Sequence, residues 1–338
     1  TLLGTHLAGS TVLMSPYTLF PAPYSNGFQD FIALYQGRIV IREAGTYGFY
    51  LNSDDRSDLY LDGVQVVSNA VAGTARSGSA YLTAGSHDLL VPYQQGGGGY
   101  SFYVNWTPPG GTSVGLPNAV LRPCVAMTGP LVGAAGAAVS LADKGSYLCI
   151  NETTNTTFAG SFSGLNGSEI EKGGPMTFSL TGSNDAFLGS WFVSQGELVA
   201  GDGAVGGTLG GSNAYVSAGA TLTFNRSDDV VYAGDIAGNG TVRSLGAGKV
   251  KLLGNLSGFT GTLQINAGQQ VTIADVPGTN AVINNNGTLE LTGPLVALDA
   301  ARIVGSGTVR ISSSAMLSLG WAPTSYANEL VVSNGVLA

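Results

Sequence analysis

The side chains that most often carry out catalysis or bind transition metals are scarce in this sequence. The 338 residues include two His and two Cys. Most zinc sites and iron–sulfur clusters need more His and Cys ligands than one such chain can bring together. Any metal bound by this protein is therefore expected to have oxygen ligands.

His87 lies next to Asp88 in a segment of alternating polarity, a pairing that could support general acid–base chemistry. No Ser, Cys or second carboxylate stands at motif spacing to complete a nucleophilic set. We therefore expect a structural role for His87. Nearby aromatic residues could stack on sugars, but on a closing strand they are first of all core residues: Tyr100, Phe102, Tyr103 and Trp106.

The two cysteines, Cys124 and Cys149, have no competing thiol in the chain. An even count in a sequence poor in charge and rich in Asn-x-Ser/Thr favours one disulfide in an oxidising compartment. Such a loop of about 25 residues would contribute roughly 3 kcal/mol by chain entropy. The alternative is a pair of buried free thiols. The disulfide would place the protein outside the cell or at its surface, as a secreted chain.

Composition excludes several classes of protein. Charged residues make up 10% of the chain, against about 25% in typical soluble domains, yet 44% of the residues are hydrophobic, which excludes a solvated disordered chain. A net charge of −8 with 13 Lys and Arg residues disfavours nucleic acid and anionic membranes as partners. Residues 125–142 are uncharged, but their Ala and Gly content and Pro130 indicate a domain junction rather than a membrane span.

The first segment, residues 1–125, is predicted to be a β-sandwich. Apolar and polar residues alternate over residues 37–55 and again over residues 79–95, with Gly, Asp and Asn at the breaks. Period-two runs punctuated in this way are typical of antiparallel strands. Asp62-Gly63 predicts a type I′ hairpin turn, because this pair readily adopts positive φ angles.

The order of these blocks resembles the lectin-like β-sandwich named after bacterial protective antigen, which flocculin adhesins and many secreted glycosidases share. The resemblance rests on six blocks in the right order: Glu43–Tyr47, Ser53–Asp55, Leu59–Gly63, Leu82–Gly85 with His87, Tyr93–Gly96, and a closing strand with Phe102, Val104 and Trp106.

The resemblance implies a role for Asp54 and Asp55. In flocculin-type adhesins the paired Asp residues hold a calcium ion, and sugar hydroxyls then bind to that ion. Calcium prefers six to eight oxygen ligands, so two carboxylates supply only part of the shell. The remaining ligands would come from a later loop, where the run Gly96–Gly99 offers no carboxylate. The alternative is that Asp54 and Asp55 accept backbone N–H groups in a turn.

The second segment contains an internal repeat, which is predicted over residues 158–338 after a junction and first coil at residues 126–157. Residues 158–164 match residues 232–238 at an offset of 74, and further matches follow at an offset of 72. The cadence resembles the passenger repeats of bacterial autotransporters, which implies a right-handed parallel β-helix. The offset would then be about three coils. The later matches pair Phe187 with Phe259, Gly189 with Gly261, and Trp191 with Leu263.

Some parallel β-helices are enzymes, such as pectin lyases and polygalacturonases, which gather several Asp residues with Lys or Arg on one face of a coil. In residues 160–338 the acidic residues are scattered, and the closest cluster is Asp228 and Asp229 beside Arg226. A glycoside hydrolase needs two facing carboxylates at a set separation. We therefore expect no catalytic residues and a protein that is not an enzyme.

Eight Asn-x-Ser/Thr sequons are candidate glycosylation sites, and seven of them lie in the second segment. In a chain this rich in Asn, Gly, Ser and Thr, several would also arise by chance. They are Asn105, Asn151, Asn155, Asn166, Asn225, Asn239, Asn255 and Asn286.

These features favour two functions. The first is an extracellular structural protein, a subunit of a surface fibre or stalk that assembles head to tail through the strand edges of its terminal segments. The second is a calcium-dependent carbohydrate-binding adhesin in which the β-helix is a rigid spacer. The expected partners are further copies of the chain in the first case and carbohydrate in the second, with calcium as the cofactor.

Overall fold

The structure, a computed structural model, describes residues 31–96, 101–117, 120–122, 126–127, 130–143, 145–293, 297–312, 315–318, 328–333 and 336–337. The chain divides into two compact units, Thr1–Cys124 and Val125–Ala338. The fold is all-β, with antiparallel sheets in the first unit and a parallel β-solenoid of about nine turns in the second. The predicted fold class is therefore confirmed.

The described strands of the first unit are β1 Phe31–Ile41, β2 Gly45–Asp54, β3 Arg56–Leu61, β4 Val64–Asn69, β5 Thr74–Leu82, β6 Gly85–Gln95, β7 Ser101–Thr107, β8 Val114–Gly115 and β9 Leu121–Arg122. They form two antiparallel sheets, with strand orders β4-β3-β6-β1-β9 and β5-β2-β7-β8.

The alternating pattern of the sequence places one face of β2 and one face of β6 in the core. Every second residue of β2 is buried, including Phe49 and Leu51, and β6 buries Leu89 and Val91 in the same way. The hairpin between β3 and β4 turns at Asp62-Gly63, with φ angles of 49° and 78°. These two positive angles agree with the predicted type I′ turn.

The second unit winds through short parallel strands of two to five residues. They are β10 Ala126–Met127, β11 Ala138–Leu141, β12 Tyr147–Asn151, β13 Thr156–Phe158, β14 Ser161–Gly164, β15 Glu169–Gly173, β16 Thr177–Leu180, β17 Ser190–Val193, β18 Glu197–Ala200, β19 Asn213–Val216, β20 Thr221–Phe224, β21 Val230–Tyr232, β22 Asp235–Gly238, β23 Thr241–Ser244, β24 Val250–Leu252, β25 Thr262–Ile265, β26 Gln270–Ile273, β27 Val282–Asn285, β28 Thr288–Leu291, β29 Ala297–Asp299, β30 Ile303–Val304, β31 Thr308–Ile311, β32 Met316–Ser318, β33 Glu329–Val332 and β34 Val336–Leu337, with a 3₁₀ helix at Ala300–Arg302.

Three long parallel sheets form the sides of the solenoid. We call them the first sheet, β10-β12-β15-β17-β19-β22, the second sheet, β13-β16-β18-β20-β23-β25-β27-β30, and the third sheet, β21-β24-β26-β28-β31-β33. Two smaller sheets, β11-β14 and β29-β32-β34, complete the described strands. Equivalent apolar residues of successive coils stack inside, and in the second sheet Leu222, Val242, Leu263 and Ile283 lie in register.

The internal repeat maps onto the coils differently from the prediction. Trp191 lies in the first sheet and its sequence match Leu263 lies in the second. In the second sheet, residues in register on successive coils are about 20 positions apart in the sequence, as Thr221, Thr241 and Thr262 show. Because these coils are about 20 residues long, an offset of 72 spans three coils and one further side of the solenoid.

One side of the solenoid is interrupted. Within residues 145–293, all of which are described, no strand lies between β16 and β17 or between β18 and β19. In these two coils the side later occupied by the third sheet is formed by residues 181–189 and 201–212 instead. The buried Asn184 ties them together, since its Nδ2 donates to the Thr208 carbonyl at 2.6 Å and its Oδ1 accepts from the Phe162 N–H at 2.7 Å.

Candidate functional site

Asp54 and Asp55 lie where the chain passes from one sheet of the sandwich to the other. Asp54 ends β2, Asp55 is the single residue between the strands, and Arg56 begins β3. The peptide bond between the two Asp residues is cis. Both residues are half-buried. The crossover thus places two adjacent carboxylates at one end of the sandwich.

The end of β6 holds Asp55 in place. The Asp55 N–H donates to the Gln94 carbonyl at 3.2 Å, and the Asp55 Oδ2 accepts from the Gly96 N–H. A Cβ atom on Gly96 would lie only 2.9 Å from this carboxylate oxygen. Glycine at position 96 therefore lets the backbone approach Asp55 closely, and the second Asp55 oxygen keeps its acceptor capacity.

An aromatic stack lies behind the carboxylate pair. The Tyr93 hydroxyl is 2.5 Å from the Asp54 carbonyl oxygen, and the Tyr93 ring stacks on Phe102 at 4.9 Å between centroids. Burial raises the pKa of Tyr93 above its usual range, and the negative charges of Asp54 and Asp55 raise it further. Burial also raises the pKa of Tyr35, whose ring stacks on Phe102 as well, to about 12. Both phenols therefore stay protonated, and Tyr93 acts as a hydrogen-bond donor.

The oxygens of Asp54 and Asp55 suit a hard cation. Calcium takes six to eight oxygen ligands, and two carboxylates offer at most four. Among the residues that the structure describes, no group of three or more His, Cys, Asp or Glu side chains could hold a metal ion. Among the described residues, further ligands would be neutral oxygens, and residues 1–30 and 97–100 lie outside the described part of the chain.

His87 has a different partner from the one suggested by its sequence neighbour. Its Nδ1 lies 2.7 Å from Asp62 Oδ2 and its Nε2 lies 2.9 Å from the Thr83 carbonyl oxygen. Asp88 instead lies near Arg38, with 3.6 Å between Asp88 Oδ1 and Arg38 Nε. Both ring nitrogens of His87 lie within hydrogen-bond distance of an oxygen, which supports a structural role in holding the Asp62-Gly63 turn in place.

Two of the four aromatic residues near the closing strand, Phe102 and Trp106, have the expected core role. Trp106 is buried and stacks on Tyr47 at 5.3 Å between ring centroids. Tyr103 is exposed, and Tyr100 lies outside the described residues.

In the solenoid, the acidic cluster predicted from the sequence is internally paired. The Arg226 guanidinium donates to Asp228 through Nε at 2.9 Å and through Nη2 at 2.5 Å. Asp229 Oδ1 accepts from the Lys249 N–H at 3.1 Å. The Arg226–Asp228 pair lies within one loop, and the Asp229 contact links two neighbouring coils. Neither contact brings two carboxylates face to face.

A group of buried charges in the first coils has no counterpart among the sequence predictions. Lys172 is fully buried at a position in register with Ile150 and Val193. Its Nζ donates to three carbonyl oxygens at 2.9 to 3.0 Å. The adjacent Glu171 accepts from the hydroxyls of Tyr147 and Ser194. A charged run such as Glu169–Lys172 usually indicates a solvated face, so no local signal could have found this arrangement.

The predicted disulfide remains a prediction, because Cys124 lies outside the described residues. Cys149 is buried in β12, and its Sγ lies 3.3 Å from Asn151 Oδ1. Cys149 pairs in the sheet with Ala126, the first residue of β10. In the sequence, Cys124 comes two residues before Ala126.

Comparison with known families identifies the N-terminal domain. Residues 20–119 match the model of the PA14 domain family. The N-terminal unit therefore contains a PA14 domain, and the rest of the chain contains the β-solenoid. PA14 domains are carbohydrate-binding, adhesin-type modules. The resemblance of the solenoid to autotransporter repeats stays a prediction.

Several solved structures are similar over part of the chain, each with a TM-score of 0.26. One anti-sigma factor domain-containing protein is 28% identical over 30% of this chain and 34% of its own, and another, from Clostridium clariflavum, is 20% identical over 30% and 37%. The PA14 domain of the MpAFP antifreeze protein is 27% identical over 28% of this chain and 53% of its own. The matches thus span about a third to a half of those chains. None of the curated proteins compared with the chain matches it.

Within the described residues, the structure contains no helix long and apolar enough to span a membrane.

Proposed function

We propose that this protein is a surface adhesin whose PA14 domain binds carbohydrate through a calcium ion held by Asp54 and Asp55. The observation that carries the proposal is the placement of these two carboxylates at the sheet crossover, where the Asp55 carboxylate accepts from the Gly96 N–H and the Asp54 backbone carbonyl accepts from the Tyr93 hydroxyl. The match to the PA14 family over residues 20–119 supports a role in carbohydrate binding.

The chain's own groups prepare this site before a ligand arrives. The backbone contacts of Asp55 fix one carboxylate, and the protonated Tyr93 holds the carbonyl of Asp54. The calcium ion, when bound, supplies a positive centre that sugar hydroxyl oxygens can join as ligands. A pre-organised site loses less conformational entropy on binding, which favours affinity.

The solenoid then serves as a spacer. Stacked apolar residues run through the interior of its about nine turns, and a solenoid of this kind is held together by contacts between neighbouring coils. We place the protein outside the cell or on its surface, where a carbohydrate-binding module meets its ligands. Head-to-tail assembly into a fibre remains a prediction, because residues 1–30 lie outside the described part of the chain.

Calcium titration calorimetry on the full chain after chelator treatment, followed by glycan-array binding with and without calcium, tests the proposal. Asp54→Asn and Asp55→Asn each remove one charge while keeping an oxygen acceptor. We expect each variant to weaken calcium binding at least tenfold and to abolish glycan binding. Asp88→Asn, which removes a carboxylate elsewhere on the same domain, should change neither.

The proposal is wrong if the wild-type chain binds no calcium, or if its glycan binding persists in excess chelator. Circular dichroism of both variants checks that the sandwich is still folded.

A further inference from the structure

The sheet β5-β2-β7-β8 has one face in the sandwich core and one face turned away from it. Tyr47, Phe49 and Leu51 of β2 are buried in the core, so the residues between them lie on the outer face. Residues paired across strands share a face, which extends this outer face over β5 and β7. We call it the platform, formed by the even-numbered residues 46–54 and the odd-numbered residues 75–81 and 101–107.

Two tyrosines are neighbours on the central strands of the platform. Tyr103 of β7 lies opposite Asn52 of β2, and Tyr50 of β2 lies opposite Asn105 of β7. The two tyrosines are therefore diagonal neighbours, roughly 7–8 Å apart, a separation that aromatic side chains can span. Tyr103 is 44% exposed and Tyr50 is half-buried. The pair thus presents aromatic surface to solvent.

Amide groups lie beside the two rings. Asn52 and Asn105 are half-buried, and neither side chain has a hydrogen-bond partner among the described residues. An amide side chain can donate two hydrogen bonds and accept two. Water fills these positions in the free protein, and a ligand rich in hydroxyl groups can replace that water without losing hydrogen bonds.

The platform carries almost no charge. Its residues are Ser, Thr, Asn, Tyr, Gly and Ala, with Asp54 as the one exception. A polyanion would find no opposite charge here and would be repelled by Asp54. Aromatic rings among neutral hydrogen-bonding groups suit a neutral ligand that has both C–H surfaces and hydroxyl groups, which is the chemistry of a neutral glycan.

The platform is continuous with the carboxylate pair at the crossover. Asp54 is the last residue of β2, and Asn52 and Tyr50 precede it on the same face. A strand rises about 3.4 Å per residue, so the row from Asp54 to Tyr50 is about 14 Å long. A glycan held at Asp54 by one sugar would extend its next sugars over Tyr103 and Tyr50.

We propose that the platform binds the further sugars of a neutral glycan chain, with sugar rings stacked on Tyr103 and Tyr50 and sugar hydroxyls bonded to the amides of Asn52 and Asn105. This role rests on the function proposed above and deepens it, because it makes the ligand of the Asp54-Asp55 site a neutral chain rather than a single sugar. Affinity then grows with the length of the chain.

Binding of oligosaccharides of increasing length tests the platform. The probes are oligomers of one to four units of D-glucose, D-mannose and N-acetyl-D-glucosamine, titrated by NMR into the full chain in saturating calcium. The protein is made in a host without N-glycosylation, so that the sequon at Asn105 stays unmodified. In at least one series we expect the affinity to rise at least tenfold from one unit to four.

Tyr103→Ala and Tyr50→Ala should each lose most of this rise and still bind the monosaccharide like the wild type. Tyr103→Phe keeps the ring and should keep the rise. The matched control is Tyr60→Ala, because Tyr60 is a half-buried tyrosine of β3 in the other sheet. This control should bind every probe like the wild type.

The platform is refuted if the tetrasaccharide binds no more tightly than the monosaccharide in every series, or if both alanine variants keep the full rise. Calcium-dependent binding of a monosaccharide would still support the Asp54-Asp55 site in either case. A rise that persists in excess chelator and disappears in Tyr103→Ala would support the platform and refute the role of calcium. If none of the probes binds, the platform is refuted, and the calcium titration still tests the carboxylate pair.

Discussion

Lys172 is the residue whose chemistry the fold changes most. Its ammonium group is enclosed among the first coils and donates to the carbonyls of Gly173, Gly174 and Gln195. Burial lowers the pKa of Lys172 to about 8, although the negative charges of Glu152 and Glu171 oppose the shift. A buried lysine titrates in an unusual range because the protein interior penalises its charged form.

This shift predicts how stability depends on pH. Between pH 8 and about 10.5, the unfolded chain keeps a proton on Lys172 that the folded chain has released. The unfolded state therefore binds more protons, so the Lys172 contribution to the free energy of unfolding rises with pH across this window. We expect a rise of about 1–3 kcal/mol, measured by urea denaturation at pH 7.5, 9 and 10.

The Lys172→Met variant isolates this contribution, because it lacks the titrating group and keeps a long apolar side chain. Its free energy of unfolding should lack the rise with pH that Lys172 gives the wild type, so the difference between the two proteins should change as the pH rises. Lys251→Met removes an exposed lysine of β24 and should track the wild type. Parallel pH profiles for the wild type and Lys172→Met would refute the assignment.

At the scale of the structural elements, close approach between coils determines where glycine is required. A Cβ atom on Gly261 would lie 1.9 Å from the Gly240 carbonyl oxygen of the preceding coil. On Gly258, three residues earlier, a Cβ would meet only Ala237, whose own Cβ would be 3.2 Å away. Successive strands of a parallel sheet lie about 4.8 Å apart, so a corner where backbones touch has no room for a methyl group.

We therefore expect Gly261→Ala to destabilise the solenoid by about 1–3 kcal/mol, as overpacking does in other protein interiors. Gly258→Ala should cost less than about 1 kcal/mol, because a methyl group can shift by a few tenths of an ångström. Equilibrium unfolding in urea, followed by circular dichroism, measures both changes. Equal losses in the two variants would contradict the role assigned to backbone contact at Gly261.

The whole molecule determines which sequons could carry a glycan in the folded state. A bulky glycan fits only where the asparagine side chain projects into solvent. The asparagines of five sequons are exposed, namely Asn155, Asn166, Asn239, Asn255 and Asn286. Those of the other three are half-buried, namely Asn105, Asn151 and Asn225.

In a host that glycosylates such sites, folded protein should carry glycans only at the exposed sequons. Peptide mapping by mass spectrometry before and after enzymatic deglycosylation measures occupancy at each site. Asn151 is the sharpest case, because its Oδ1 lies beside the buried Cys149 and is also close to Gly173. High occupancy at Asn151 in folded, monodisperse protein would overturn this prediction.

The sequence by itself was enough to predict the all-β class, the sandwich before the parallel solenoid and the hairpin at Asp62-Gly63. Period-two alternation, corner glycines and turn preferences are properties of neighbouring residues, so they can be read without knowing what packs against them. The resemblance to protective-antigen-type domains also singled out Asp54 and Asp55 before any geometry was known.

Only the tertiary structure decided which distant residues meet. The buried Lys172 needs the carbonyl of Gln195 from the next coil, and His87 pairs with Asp62 rather than with its neighbour Asp88. The interrupted side depends on how many residues each coil of the described solenoid uses before it closes. Coil lengths, close approaches and partners some 20 residues away arise from the stacking of the whole chain, and local patterns carry no signal for them.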